Sequence, residues 1–381
     1  MMPRLFVVDY SYQQCKSGHR HCGDVVFVTR RQDSTIVILA DGIGSGIEAK
    51  VAATFSAEYL FSLINENFTG IEAMKVVIRS LRRAKLNNGP WAALNVVFFT
   101  GSGEINAYSY ESPQPFVITA RGLEMLAFQP LHWSGEVVQE VSTHLRPNEG
   151  LLLFSDGVTQ AGLGRSLPRG WGEAGVKSFL ASTGLDSPVH AAAIPAVLAR
   201  KAATFNDNQP ADDITVLALM LQKPKVLYIL TGPPGRRGDD EKVMAIFLAK
   251  EGLKAVCGGT TTHLLAKQMG LTPQVVPGKF GTPAHYELDG IALASEGTVT
   301  LNRANNVFDT PELAPEAGYG VARLLELLYD ADEIHFWVGQ AENPAHSSTL
   351  KPSGFLARNE VVAGLAEKLQ GAGKLAVVKK I

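Results

Sequence analysis

Four short acidic motifs lie between residues 22 and 215 of the chain. In chain order they are Cys22-Gly23-Asp24, Asp41-Gly42-Ile43-Gly44-Ser45-Gly46, Ser155-Asp156-Gly157 and Asp212-Asp213-Ile214-Thr215. Most of them directly adjoin hydrophobic runs that are typical of β-strands. Carboxylates held by glycine turns at strand ends are suitable ligands for hard divalent cations. Because the spacing between the motifs is long and uneven, only the tertiary fold can bring these carboxylates together.

Each motif taken singly also fits a purely structural role. Asp41-Gly42 fits a strand-to-helix turn, and Asp156-Gly157 fits a hairpin corner. Asp212 fits the cap of a turn before the next strand. The presence of all four motifs in one chain favours metal binding over four unrelated turns.

Length, charge and cysteine content limit the class of protein. With 381 residues the chain is long enough for two sizeable cores, and its net charge of −2 offers no basic face for nucleic acid. No apolar run approaches the ~20 residues needed to span a bilayer. The short apolar stretch near the N-terminus is predicted to be a strand, not a signal peptide. Three cysteines are too few for a disulfide framework, so we expect a cytoplasmic protein without a nucleic-acid or membrane partner.

The first part of the chain is predicted to be rich in strands, with helices between them. Predicted strands at 5–10, 25–30 and 35–40 precede a helix that begins at Gly46. In that helix Val51, Phe55, Tyr59 and Leu63 recur four residues apart and predict one apolar face. The further predicted segments are a helix over 69–86, strands over 93–100, 103–110, 116–120, 137–145 and 150–154, a helical stretch over 172–205 and a strand over 214–221.

A short polar segment, Gln222–Lys225, contains a proline and is predicted to be a linker. Beyond it, residues 226–381 alternate between predicted strands and helices, which favours a doubly wound, mostly parallel sheet. In this part, Gly258-Gly259-Thr260-Thr261 follows a predicted strand and opens a predicted helix. Free N–H groups and hydroxyls at such a turn face a small anionic ligand, although the same residues also fit a simple helix cap. The linker therefore separates two predicted domains, 1–222 and 226–381.

Taken together, the motifs carry a family resemblance over residues 4–221. A Gly-Asp, an Asp-Gly-x-Gly-x-Gly that opens a helix, a Phe-Ser-Asp-Gly and an Asp-Asp-x-Thr occur here in that order. This set resembles the PPM-type, metal-dependent Ser/Thr protein phosphatases, in the bacterial branch named after stage II sporulation phosphatase E. The frame from Asp41 to Ala49 and the Gly-Gly-Thr-Thr turn are also similar to phosphatases encoded with iron-only hydrogenase genes.

The resemblance implies a fold for each domain. For residues 1–222 it implies an α+β fold, with an antiparallel two-sheet sandwich flanked by helices. Residues 226–381 would then form an α/β domain with a regulatory or docking role.

The resemblance also implies a site and an activity. Asp41 would bridge two Mn²⁺ or Mg²⁺ ions, and Asp213 would lie behind the ligands. The activity implied is hydrolysis of phosphoserine or phosphothreonine on a bacterial regulatory protein, by a metal-activated water and without a protein nucleophile. The implied metal ligands are Asp24, Asp41, the Gly42 carbonyl, Asp156 and Asp212.

Two other functions remain open at the level of sequence. The chain fits a pseudophosphatase that binds a partner protein without catalysis, although the intact set of four motifs favours an enzyme. It also fits a metabolic enzyme whose chemistry lies in residues 226–381, but no nucleophile or acid–base motif there supports this.

The segment from Cys15 to Cys22 contains two cysteines and two histidines. Its ligands are crowded for a structural zinc site, which normally uses separated ligand pairs. Redox control of the adjacent Asp24 and an ordinary loop with a partly buried cysteine are the other interpretations.

Overall fold

The computed structural model describes residues 4–44, 46–133, 135–279, 281–341 and 355–381. The chain divides into two compact units, Met1–Lys223 and Pro224–Ile381. Among the described residues, no helix combines the length and the apolar character that crossing a bilayer requires.

The N-terminal unit is built from two antiparallel sheets and two helical layers. Its elements are β1 Phe6–Gln14, β2 Val25–Arg30, β3 Ser34–Gly42, α1 Gly46–Asn65, α2 Gly70–Leu86, β4 Ala92–Thr100, β5 Glu104–Tyr110, β6 Phe116–Thr119, β7 Gly122–Met125, β8 Gln129–Trp133, β9 Glu136–His144, β10 Gly150–Phe154, α3 Asp156–Thr159, α4 Gly172–Thr183, α5 Ile194–Thr204 and β11 Ile214–Gln222. One sheet has the strand order β1-β11-β10-β6-β7 and the other β2-β3-β4-β5-β9-β8.

The strands of this unit are apolar on both faces because both faces are covered. Along β3, Val37 and Leu39 pack in the core between the two sheets, with Leu217 and Leu219 of β11. The alternate residues, including Ile38, pack against α1 and α2 on the outer face. The outer face of the other sheet is covered by α4 and α5. This confirms the predicted two-sheet sandwich flanked by helices.

Helix α1 is buried on a different face from the apolar stripe in its sequence. Its buried residues are largely alanines, including Ala49 and Ala53. Val51 and Phe55 of the stripe remain 58% and 63% exposed. Small side chains let the helix approach the sheet closely, and the sequence carries apolar residues on more than one side of the helix. The predicted helix is therefore confirmed, but the stripe does not mark its buried face.

The C-terminal unit is a mixed sheet between helices. Its elements are β12 Val226–Thr231, α6 Asp240–Leu248, β13 Leu253–Cys257, α7 Gly259–Met269, β14 Gln274–Val276, β15 His285–Glu287, β16 Leu293–Ser295, α8 Thr298–Val307, α9 Ala314–Ala317, α10 Tyr319–Asp330, β17 Glu333–Val338, α11 Arg358–Gly371 and β18 Leu375–Lys380. The strand order is β14-β15-β16-β13-β12-β17-β18. Five neighbouring strands are parallel, namely β16, β13, β12, β17 and β18. At one edge, β14 and β15 pair in the antiparallel direction. This confirms the mostly parallel α/β sheet.

Candidate metal centre

Asp41 and Gly42 form the end of β3, directly before the loop that leads into α1. A Cβ atom at Gly42 would lie 2.0 Å from the carbonyl oxygen of Ala49. Only glycine therefore lets the first turn of α1 pack against the end of this strand. Ser45, which belongs to the same motif, lies outside the described residues.

Asp156 begins the short helix α3, immediately after β10. The following residue, Gly157, lies against the segment that enters β11, since a Cβ there would be 2.0 Å from the carbonyl oxygen of Asp213. The Nε2 of Gln160 donates to Asp156 Oδ2 at 2.7 Å and orients this carboxylate. The glycine therefore lets the third and fourth acidic motifs lie side by side in the folded chain.

The carboxylates of Asp24, Asp41, Asp156 and Asp212 converge in space. The negative charges of the other three all act on Asp41. Burial and this repulsion together raise the pKa of Asp41 to about 10, although the Asp156 backbone N–H donates to it. A carboxyl group with such a pKa keeps its proton at neutral pH unless a cation replaces it.

Asp24 is the most buried of the four, with 3% of its surface exposed. Its Oδ2 accepts a hydrogen bond of 2.6 Å from the Thr215 hydroxyl. Burial raises the pKa of Asp24 to about 6, against the opposing hydrogen bond from Thr215. Its Oδ1 is buried and has no hydrogen-bond partner among the described residues. A buried carboxylate oxygen without a hydrogen-bond partner is suited to act as a ligand for a cation.

Asp156 and Asp212 have raised pKa values for the same principal reason. Burial raises both, and the charge of Asp212 further raises the pKa of Asp156. The backbone N–H of Asp213 and the positive charges of Lys16 and His19 act in the opposite direction on Asp212. The loop between β1 and β2 therefore brings basic side chains near the acidic cluster.

The carboxylate of Asp213, unlike that of Asp212, anchors the loop between β1 and β2. Its Oδ1 accepts a hydrogen bond of 2.7 Å from the backbone N–H of Lys16, and its Oδ2 accepts one of 2.7 Å from that of Gly23. The same carboxylate thus holds both ends of the loop that precedes Asp24. We call this arrangement the Asp213 clamp.

The residues present fit a divalent cation site of the Mg²⁺ or Mn²⁺ type. The donors are all oxygens, and one of them is unpartnered among the described residues. Burial raises the pKa values of all four carboxyl groups, and the charges of other members of the set raise those of Asp41 and Asp156 further. Hard cations prefer such oxygen donors, and their charge would remove the repulsion that raises these pKa values.

The sequence analysis does not predict several residues that make hydrogen bonds around the acidic cluster. Thr215 and Ser155 lie inside the acidic motifs, so their hydroxyls were available as candidates. Gln13 Nε2 donates to the Thr215 hydroxyl at 3.0 Å from a position 202 residues away in the chain. No sequence signal marks such a residue. The Gln160 contact with Asp156 has a weak signal, a spacing of four residues at a helix start.

The predicted site in the C-terminal unit lies at the start of α7. Gly258 precedes this helix with a φ of 146°, and Thr261 is buried with an Oγ1 that has no hydrogen-bond partner among the described residues. Gly259 lies close to the hydroxyl of Tyr286, which donates to Glu296. A carboxylate near this turn would disfavour a bound anion, whereas the free hydroxyl would favour one.

Comparisons with known proteins bear on the N-terminal unit. The family model of stage II sporulation protein E (SpoIIE) matches residues 31–222. The phosphatase domain of SpoIIE from Bacillus subtilis is 15% identical, with a TM-score of 0.46, over 58% of this chain and 95% of that one. A structure of RsbX in complex with magnesium is 16% identical, with a TM-score of 0.41, over 58% of this chain and 100% of that one.

The catalytic domain of the serine/threonine phosphatase PstP, in complex with two manganese ions, is 14% identical, with a TM-score of 0.41. That match covers 57% of this chain and 99% of that one. A comparison with curated proteins found no match. The family model spans just over half of the chain. The chain therefore belongs to the SpoIIE family, and its N-terminal unit is a phosphoprotein phosphatase domain.

Proposed function

We propose that the N-terminal unit hydrolyses phosphoserine or phosphothreonine on a bacterial regulatory protein, with two Mn²⁺ or Mg²⁺ ions. The observation that carries this proposal is the convergence of four carboxylates whose burial raises their pKa values, with a further rise at Asp41 and Asp156 from the charges of the others. The residues that would hold the ions are Asp24, Asp41, Asp156 and Asp212, together with the carbonyl of Gly42.

Two divalent cations, when bound, polarise phosphoryl oxygens and lower the pKa of water. The chain's own part is to fix the ligands. Thr215 and Gln160 hold Asp24 and Asp156 in one orientation through their hydrogen bonds. Lys16 places positive charge beside Asp212, where it would attract a phosphate dianion. No side chain is required as the nucleophile.

The test is hydrolysis of a phosphothreonine peptide by the full chain, with and without Mn²⁺. We expect turnover that needs the cation and disappears in Asp41→Asn. Asp207→Asn is the matched control, because Asp207 is 96% exposed and its carboxylate faces Arg165. Undiminished turnover after exhaustive chelation would contradict the proposal. Mn²⁺ binding without any turnover on phosphopeptides would favour the non-catalytic regulator instead.

For residues 226–381 we propose a regulatory or docking role, with a small anion bound at Gly258–Thr261. The unpartnered Thr261 hydroxyl and the free N–H groups at the start of α7 support the ligand. Calorimetric titration with inorganic phosphate tests it, with Thr261→Val as the variant expected to bind more weakly. Absence of binding by the unaltered chain would remove the ligand from the proposal. Membership of the hydrogenase-associated subgroup stays a prediction.

A further inference from the structure

The loop between β1 and β2 holds a pair of cysteines at the edge of the acidic cluster. Cys15 directly follows β1, and Cys22 lies two residues before Asp24. Both are free thiols, and their Sγ atoms lie within 4.8 Å of each other and of a carboxylate oxygen of Asp213. The proposed phosphatase reaction uses neither of them.

The Asp213 clamp explains why the two thiols meet. The backbone N–H groups that it binds belong to Lys16 and Gly23, the residues that directly follow the two cysteines. One carboxylate therefore fixes both ends of the loop and brings the thiols to one side of it. Because both oxygens of this carboxylate already accept backbone hydrogen bonds, we favour a bond between the sulfurs over a metal ion among the three groups.

We propose that Cys15 and Cys22 form a reversible oxidation site that takes a low-molecular-weight disulfide of the glutathione class as its oxidant. Cys15 is partly exposed, whereas Cys22 is 5% exposed, so Cys15 meets the oxidant first. Its thiolate attacks one sulfur of the oxidant, which forms a mixed disulfide and releases one thiol. The Cys22 sulfur then displaces the second thiol and closes the bridge. Two thiols lose two electrons and two protons, and the oxidant becomes two thiols.

Closing the bridge draws the sulfur of Cys22, two residues before Asp24, toward that of Cys15. A disulfide requires about 2.05 Å between the sulfurs and a restricted range of Cβ positions. The intervening Gly23 has no room to absorb a shift, since a Cβ there would lie 2.9 Å from Ala49 Cβ and 3.0 Å from Asp213 Oδ2. Movement of Cys22 therefore reaches either α1 or the clamp. We infer that the bridge weakens cation binding at the acidic cluster and so lowers phosphatase activity, a consequence that rests on the proposed function.

The bridge itself is tested without reference to activity. The full chain is equilibrated with graded ratios of oxidised to reduced glutathione, alkylated, digested with trypsin and mapped by mass spectrometry. Cleavage after Lys16 and Arg20 separates the two cysteines, so a bridge appears as two linked peptides. We expect this linkage in the unaltered chain and in Cys257→Ser, whose thiol is fully buried in the C-terminal unit. In Cys22→Ser we expect a stable mixed disulfide on Cys15 instead.

Three results would overturn the oxidation site. They are a mixed disulfide on Cys15 without a bridge at every ratio, no oxidation at all, or thiols that become reactive only after a chelator is added. The last result would indicate a bound metal ion in place of the bridge.

The effect on the acidic cluster is tested by Mn²⁺ calorimetry on reduced and bridged protein. We expect about tenfold weaker binding after bridging, reversed by dithiothreitol, in line with the loss of a residue that orients a ligand. Cys15→Ser treated with the same oxidant should keep the affinity of the reduced protein. Equal affinity of the bridged and reduced forms would overturn the regulatory consequence. If the protein showed no phosphatase activity, the proposed function would fail, but the peptide map and the Mn²⁺ calorimetry would still test the bridge and its effect on cation binding.

Discussion

Replacement of Asp24 by asparagine should stabilise the N-terminal unit when divalent cations are absent. The carboxylate is 3% exposed and has one oxygen without a partner in the described structure. Burial raises its pKa from 3.8 to about 6, so the folded protein disfavours its charge. Asparagine keeps the shape and an oxygen that accepts from Thr215, but it carries no charge.

The size of the effect follows from the pKa of Asp24 and grows as the pH rises. A difference of about two pKa units corresponds to about 3 kcal/mol of unfolding free energy. The unfolded chain loses the Asp24 proton near pH 4, whereas the folded chain keeps it until about pH 6. The unaltered protein therefore loses stability between these values as the pH rises, and the loss is complete above pH 6. We expect Asp24→Asn to gain less than about 1 kcal/mol at pH 4 and up to about 3 kcal/mol at pH 8.

The assay is urea unfolding of the full chain in a chelator, followed by tryptophan fluorescence. All variants carry Trp337→Phe, so that the signal comes from the tryptophans of the N-terminal unit. Asp207→Asn should show no pH-dependent gain. Mn²⁺ at about 1,000 times its Kd should reverse the order, since a ligand at that concentration adds about 4.1 kcal/mol to the protein that binds it. Asp24→Asn that is less stable than the unaltered chain at pH 8 in the chelator would refute the reasoning.

Three further predictions concern the same cluster. Asp41→Asn and Asp156→Asn should each reduce phosphopeptide turnover below detection while the circular dichroism spectrum stays unchanged, and unaltered turnover in either variant would contradict the ligand assignment. Thr215→Val should weaken Mn²⁺ binding about 10–100-fold because Asp24 loses its orienting hydroxyl, whereas Thr215→Ser should not, and equal calorimetric affinities would exclude this role. Mn²⁺ binding should release about one proton more at pH 5 than at pH 8, because Asp24 is protonated only at the lower pH. Calorimetry in buffers of different ionisation enthalpy measures this, and proton release that does not change with pH would contradict it.

The elements that the sequence predicts best have local causes. Strand β2 was predicted with the bounds that the structure shows, because a run of β-branched and aromatic residues ends at polar residues on both sides. Helix α2 begins after Thr69, whose hydroxyl accepts from the N–H of Glu72 in a capping box. The elements that were not predicted lack such signals. Helix α8 contains several polar residues, and β14 and β15 have three residues each.

The candidate site also has residues that the sequence predicts and residues that it does not. The sequence predicts its aspartates because each lies beside a glycine or a second aspartate in a short motif, and Gly42 and Gly157 do mark close backbone approaches. The sequence does not predict the hydrogen bonds that hold these aspartates, because Gln13 and Thr215 meet only in the folded chain. The buried face of α1 was also beyond local reasoning, since periodicity fixes the repeat of an apolar stripe but not which of two apolar sides meets the sheet.

The acidic cluster takes its ligands from both sheets of the sandwich. Asp41 ends β3 in one sheet, whereas Asp156 follows β10 and Asp212 precedes β11 in the other. In the absence of cations, the burial of these carboxyl groups and the repulsion among those that stay charged would weaken the packing of the two sheets at this end. The opposing force is the apolar core between the sheets, which includes Val37 and Leu217. The sandwich core therefore holds these acidic groups together, and the same arrangement that weakens the cation-free protein gives it affinity for divalent cations.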